Sequence, residues 1–211
     1  MNIYLDQRNN RAVKPTQARD GTIAFALYPE RWSKPDDVEI WTVGGPNQFP
    51  TQIARGIEPA ISPDGSKICY IGVDGNLWVV NVDGTEATQL TSSAPEVLKN
   101  LKNSLTGLEL EVFKTRERTG QLLRYYHPCS YPSWSADSKS IVFTSMQGND
   151  PTGRPNEDIW LLDLGAHITQ QLTTNGSADR FPEMSPDGRW IYFMSNRGGQ
   201  WAIWRIATPA K

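Results

Sequence analysis

The chain has 211 residues, with 21 Lys and Arg against 23 Asp and Glu and a formal net charge of -2. That balance lacks the concentrated basic face of a nucleic-acid binder, no apolar run approaches the ~20 residues of a membrane-spanning helix, and the first 20 residues hold no apolar signal-peptide core, so the expected setting is the cytoplasm (the periplasm if a leader has been removed), without nucleic-acid or membrane partners. Two cysteines, Cys69 and Cys129, allow one bridge at most, while eight Trp, 17 Gly and 15 Pro suit a protein of strands and turns.

Read from the N-terminus, residues 2–6 (NIYLD) form a lone strand. A phrase then begins to repeat. A weak copy, KPTQARDGTIAFALYPERWSKPDDVEIWTV, starts at Lys14, and a clear one, EPAISPDGSKICYIGVDGNLWVV, at Glu58. A worn copy follows from Ala94, in which Pro95 opens the unit, Val112-Phe113 stands for an apolar-Trp pair, and TGQLL from Thr119 resembles TEATQLT from Thr85. Two further clear copies run from Tyr131 and Phe181. The opening prolines are Pro15, Pro59, Pro95, Pro132 and Pro182, at a spacing close to 42 residues.

Each unit reads as four strands. The first ends near the proline. PDG, or ADS from Ala136, makes a tight turn, with Pro fixing φ and Gly accepting positive φ. The second strand is apolar (TIAFAL, KICYIG, SIVFTS, WIYFMS). The third carries Ile40-Trp41, Leu77-Trp78, Ile159-Trp160 or Ile203-Trp204, whose tryptophans pack between units. The fourth ends in a Gln-apolar step. Four strands in ~40–45 residues is the size of a propeller blade. The expected fold class is therefore all-β: one small propeller domain over residues 1–211, with five blades, or four blades plus a ~30-residue insertion holding a helix and a hairpin. Residues 2–6 are expected to complete the last blade, because an unpaired first and last edge would leave backbone groups without partners.

S-P-D-G before an apolar strand, then S-N-R-G-G and an apolar-Trp strand, resembles the WD40-like repeat of the TolB type, called PD40. The likeness is strong over residues 62–80 and 185–206, good over 135–162, weaker over 18–43 and marginal over 93–126. It implies a β-propeller. Propellers of this kind include the periplasmic TolB protein, the propeller domain of prolyl oligopeptidase-like peptidases and oligogalacturonate lyases, so the fold does not choose a function.

The chemistry of the residues is spare. There is no G-x-S-x-G elbow, no phosphate-cradling glycine loop, no C-x-x-C and no H-E-x-x-H. With His127 and His167 the sole histidines, a His-rich metal centre cannot be assembled, and no metal or other cofactor is expected. The residues just before each opening proline should line the central funnel. Glu58, Tyr131, Asp179, Arg180 and Phe181 are accordingly candidate ligand or partner contacts, joined by the loop tryptophans Trp32 and Trp201. No catalytic residue is assigned. The expected function is a non-catalytic scaffold binding a protein or peptide on one face of the ring. The alternative is a propeller that binds a glycan or small ligand in its axial channel, with a lyase or hydrolase activity.

Overall fold

The computed structural model describes residues 10–32, 34–45 and 47–209. The described chain forms two compact units. The first holds the residues up to Thr91 together with 116–126, and the second holds 92–115 together with those from His127 onward.

The first unit is built on β1 (Arg11–Gln17), β2 (Ile23–Tyr28), β3 (Glu39–Gly44), β4 (Asn47–Ile61), β5 (Lys67–Gly72), β6 (Leu77–Asn81) and β7 (Thr88–Gln89), hydrogen-bonded in that order. β4 is 15 residues long and serves two antiparallel sets, pairing with β3 as far as Arg55 and with β5 from Gly56. Gly56 makes the change of sheet possible. Its φ is +148°, and a Cβ there would lie 2.3 Å from the carbonyl oxygen of Ile71.

Three helices follow, α1 (Ala94–Ser104), α2 (Gly107–Arg118) and α3 (Leu122–Tyr125). The expected strand-built unit opening at Pro95 is thus corrected to a helical segment. Pro95 sits in the first turn of α1, where a missing N–H costs nothing. Ala94, Val97 and Leu101 recur at helical spacing and are buried. Val112-Phe113 lies inside α2, with Phe113 buried, and Gly120 follows that helix at φ +70°. The helix of the insertion alternative is found, but its hairpin is replaced by α2.

The second unit also holds two antiparallel sets: β8 (Cys129–Trp134), β9 (Ser140–Asn149), β10 (Pro155–Asp163) and β11 (Ile168–Gln171), then β12 (Asp179–Met184), β13 (Trp190–Ser195) and β14 (Ala202–Ala207). All four sets have the same internal pattern. An aromatic on the second strand faces the repeat tryptophan on the third: Phe25 and Trp41, Tyr70 and Trp78, Phe143 and Trp160, Phe193 and Trp204. The turn after the first strand is a closed hydrogen-bonded module. Ser62, Ser135 and Ser185 each donate a hydroxyl to the aspartate two residues on, at 2.6 Å. That bond holds the Asp187 carboxyl down at about 2, with the Arg189 N–H and guanidinium adding to it.

The sets stack by one rule. In the first unit Ala24 and Ile40 pack on Ile68, Tyr70 and Val80, and in the second Val142, Ile159 and Leu161 pack on Met184, Ile191, Phe193 and Ile206. Cys69 and Cys129 are both buried. The expected clasp by residues 2–6 lies outside the described residues. Among the described residues β14 pairs with β13, and no strand pairing joins the first set to the last.

Candidate functional site

The opening proline of each set stands inside the first strand, where it cannot donate to the ladder. The structure resolves this with a repeated bulge. The register breaks between Val13 and Thr16, Ile57 and Ala60, Ser130 and Ser133, and Arg180 and Glu183. At each break the residue before the proline takes left-handed backbone: Lys14 (φ 51°), Glu58 (57°), Tyr131 (53°) and Phe181 (56°). Left-handed backbone is costly for residues with a Cβ, and a bulge re-aims its side chain out of the pleat. Each set therefore spends conformational strain to present one chosen side chain.

Within each unit these side chains meet. In the first, the Lys14 ammonium and the Glu58 carboxylate form an ion pair. Burial, and then the Glu58 charge, push the neighbouring Tyr28 phenol well above its ordinary range. Tyr28 stands edge-on to Trp32 at 5.1 Å, and the Arg124 guanidinium lies 5.0 Å from the Trp32 ring. Arg11, Val13, Tyr28, Pro29, Glu30 and Trp32 line a cleft of about 200 Å³.

In the second unit the rings of Tyr131 and Phe181 lie 4.0 Å apart at 38°. Arg180 Nε donates to Glu157 Oε2 at 2.6 Å, and the same guanidinium lies 5.1 Å from the Trp201 ring. Phe181 is 46% exposed and Trp201 44%. Behind them Asp179 is fully buried. Its Oδ2 accepts from Arg197 Nη2 at 2.8 Å and Asn175 Nδ2 at 3.0 Å, while Oδ1 is buried without a hydrogen bond. Asp158 is buried as well and accepts from Thr173, Asn156 and Gln171. Burial, with the Asp179 charge adding to it, outweighs those bonds and pushes its carboxyl up to about 6. Elsewhere in this unit, where two Ser-x-Asp turns approach, Asp137, Leu161, Ile168, Met184 and Asp187 help line a mainly apolar cavity of about 500 Å³.

No protein-family model matches the chain. It is 34% identical over 88 residues to Uncharacterized protein Atu1656 of Agrobacterium fabrum, covering 42% of this chain and 28% of that protein. It is 26% identical over 202 residues to Uncharacterized peptidase YuxL of Bacillus subtilis, covering 86% and 29%. The chain thus spans less than a third of the length of the curated relatives it matches. Among solved structures, a TolB-named protein of Agrobacterium tumefaciens superposes with a TM-score of 0.60 at 21% identity, over 94% of this chain and 58% of that one. TolB of Acinetobacter baumannii gives 0.55 at 18%, over 94% and 54%. The β-propeller domain of the Trilobed protease of Pyrococcus furiosus gives 0.52 at 12%, over 96% and 58%.

The fold is that of the TolB-like β-propellers.

On this TolB-like frame the sequence-chosen residues fall into two groups. Tyr131 and Phe181 form one ring pair and Arg180 and Trp201 one cation–π pair in the second unit, while Asp179 is buried and tethers Arg197 instead of facing a partner. Glu58 and Trp32 lie in the first unit: the Glu58 charge opposes ionisation of the Tyr28 phenol, and Trp32 meets the Tyr28 ring edge-on. Lys14 was not among the residues chosen from the sequence, although it holds the same pre-proline position as Glu58, Tyr131 and Phe181 in the weakest copy. Glu157 and Arg197 carried no sign in the repeat. No group of three His, Cys, Asp or Glu that could hold a metal ion occurs among the described residues, and no described helix is long and apolar enough to cross a membrane.

Proposed function

We propose that residues 1–211 act as a single TolB-like domain that is a non-catalytic scaffold, binding an extended peptide or a protein segment through the pre-proline side chains. The observation that carries this reading is the Tyr131–Phe181 ring pair, presented on left-handed bulges beside Arg180 and Trp201. Rigid, half-exposed aromatic rings next to a guanidinium are the composition of a protein-binding hot spot, where a few such side chains carry most of the affinity. Glu157 keeps Arg180 in place, so the cation meets a partner already oriented. Both cysteines are buried thiols, in keeping with work in the cytoplasm, or in the periplasm after removal of a leader. The neighbours of this fold include proteases, whose catalytic roles are not carried over to this chain.

A second reading has one observation in its favour. The exposed faces of Phe181 and Trp201 also suit stacking on a sugar ring. One experiment separates the two. A displayed peptide library and a glycan array are screened against the wild type, and each hit is measured against Tyr131→Ala, Phe181→Ala and Arg180→Ala. The expected result is a peptide hit whose Kd rises about tenfold or more in Tyr131→Ala and Phe181→Ala. A glycan hit with the same sensitivity supports the second reading, and hits indifferent to all three variants remove the site.

A further inference from the structure

The ion pair of Glu157 and Arg180 has a buried counterpart on the same two strands. Glu157 and Asp158 are neighbours on β10, and Asp179 and Arg180 are neighbours on β12. Glu157 and Arg180 are half-buried and joined by the Arg180 Nε bond to Glu157 Oε2 at 2.6 Å. Asp158 and Asp179 are both fully buried.

One loop is clamped between the two buried carboxyls. Thr173 Oγ1 donates to Asp158 Oδ1 at 3.2 Å, and Asn175 Nδ2 donates to Asp179 Oδ2 at 3.0 Å. Asn156 Nδ2 donates to the carbonyls of Asn175 and Ser177 at 2.9 and 3.0 Å, and lies 3.3 Å from Asp158 Oδ1. The loop runs on into Asp179, Arg180 and Phe181. Whatever holds residues 173–177 therefore also sets where the recognition side chains begin.

The charges inside do not balance. Arg197 Nη2 bonds Asp179 at 2.8 Å, whereas Asp158 accepts from the neutral donors of Thr173, Asn156 and Gln171. On β10 itself Glu157 is paired with Arg180, and Asp163 stands at the far end of the strand. β9 and β11, which flank β10, carry no charged residue. β12 brings Asp179, with half-buried Arg180 and exposed Glu183. α1, which also packs on β10, carries Glu96 and Lys99, both exposed, and Lys102, half-buried. Among the described residues, Asp179 is the charge that acts on Asp158. With Asp158 protonated, the two carboxyls and Arg197 sum to zero. With it ionised, an uncompensated negative charge is buried, which is costly unless the surroundings open to water.

We infer that Asp158 is a proton switch for the surface of Arg180, Phe181 and Trp201: protonated, it closes the clamp on residues 173–177 and fixes the Glu157–Arg180 pair, and ionised, it loosens both. The inference rests on that surface being the site of recognition. A locked surface meets its partner already ordered, so binding is tighter at mildly acidic pH than at neutral pH. The coupling is reciprocal, and a partner bound at neutral pH draws a proton onto Asp158.

Two measurements test the switch. In the ligand-free protein, the Arg180 Nε–H and Trp201 indole N–H signals are followed by NMR from pH 5 to 7.5. Both are expected to move with a midpoint at about 6 in the wild type and to keep their low-pH positions in Asp158→Asn. They are expected to move as in the wild type when His127→Gln and His167→Gln are combined, which leaves no imidazole in the chain. A peptide selected at pH 5 is then expected to bind the wild type about fivefold or more weakly at pH 7.5, and Asp158→Asn equally at both. Signals that stay fixed in the wild type, or that move equally in Asp158→Asn, overturn the switch. So does a peptide affinity with the same pH dependence in both proteins. Signals that follow Asp158 while no peptide is captured at either pH uphold the switch and remove the peptide reading of the surface.

Discussion

Replacing Gly56 with alanine is expected to lower the melting temperature by on the order of 10 °C. Two effects act at this position. Its φ of +148° belongs to backbone essentially reserved for glycine, at ~1–3 kcal/mol for any other residue. In addition, the new Cβ would stand 2.3 Å from the Ile71 carbonyl oxygen, and Gly56 is paired with Gly72 in the β4–β5 ladder. Neither strand can withdraw without breaking ladder hydrogen bonds. Gly188→Ala is the comparison: φ is +70° there and nothing lies within 4 Å of the added carbon, so conformational strain acts alone and should cost about 1 kcal/mol. Calorimetry of both variants separates strain from collision. Equal losses would mean that β4 yields and that its change of sheet is less constrained than the geometry indicates.

Asp158→Asn is expected to stabilise the protein at neutral pH. The folded carboxyl titrates at about 6 rather than 3.8, because it is buried near the charge of Asp179. Its folded form therefore holds a proton that the unfolded chain has released. Stability from this group is full below pH ~4, falls as pH rises through ~6, and stays low above that. The loss is on the order of 3 kcal/mol. The amide keeps the shape of the protonated acid without having to ionise, so the variant should lack the decline between pH 4 and 6. Asp20, Asp83, Asp150 and Asp187 have lowered values and act in the opposite sense, at more acidic pH. Melting curves of wild type and variant from pH 3.5 to 7.5 test this. Parallel curves across that range would show that Asp158 is ionised in the folded protein throughout.

The repeat was readable because each set needs the same things from the same positions: a proline at the bulge, a Ser-x-Asp turn and an aromatic–Trp pair. It misled at Pro95. A proline opens a bulged strand and also begins a helix, and Val112-Phe113 suits either element. The helical spacing of Ala94, Val97 and Leu101 is the signal that separates the two, and the regular spacing of the prolines masks it. The bulged positions of the proposed surface were readable in the same measure. Position before the opening proline picked out Glu58, Tyr131 and Phe181, because one residue per set bears the left-handed backbone. Glu157, which orients Arg180, comes from β10 and is distant in sequence, and no local pattern reports such a partner. The Asp158–Asp179 pair was hidden for a different reason: a buried carboxylate looks in sequence like any solvated one, and Asp179 reads as a surface contact although it is fully buried.

The central claim is that strained pre-proline residues form the recognition surface. Hydrogen–deuterium exchange of the wild type, free and saturated with a peptide selected from the displayed library, tests it directly. The account predicts that binding slows exchange at residues 129–133 and 179–182 and in the loop around Trp201. Protection confined to other segments, with these three unchanged, would contradict it.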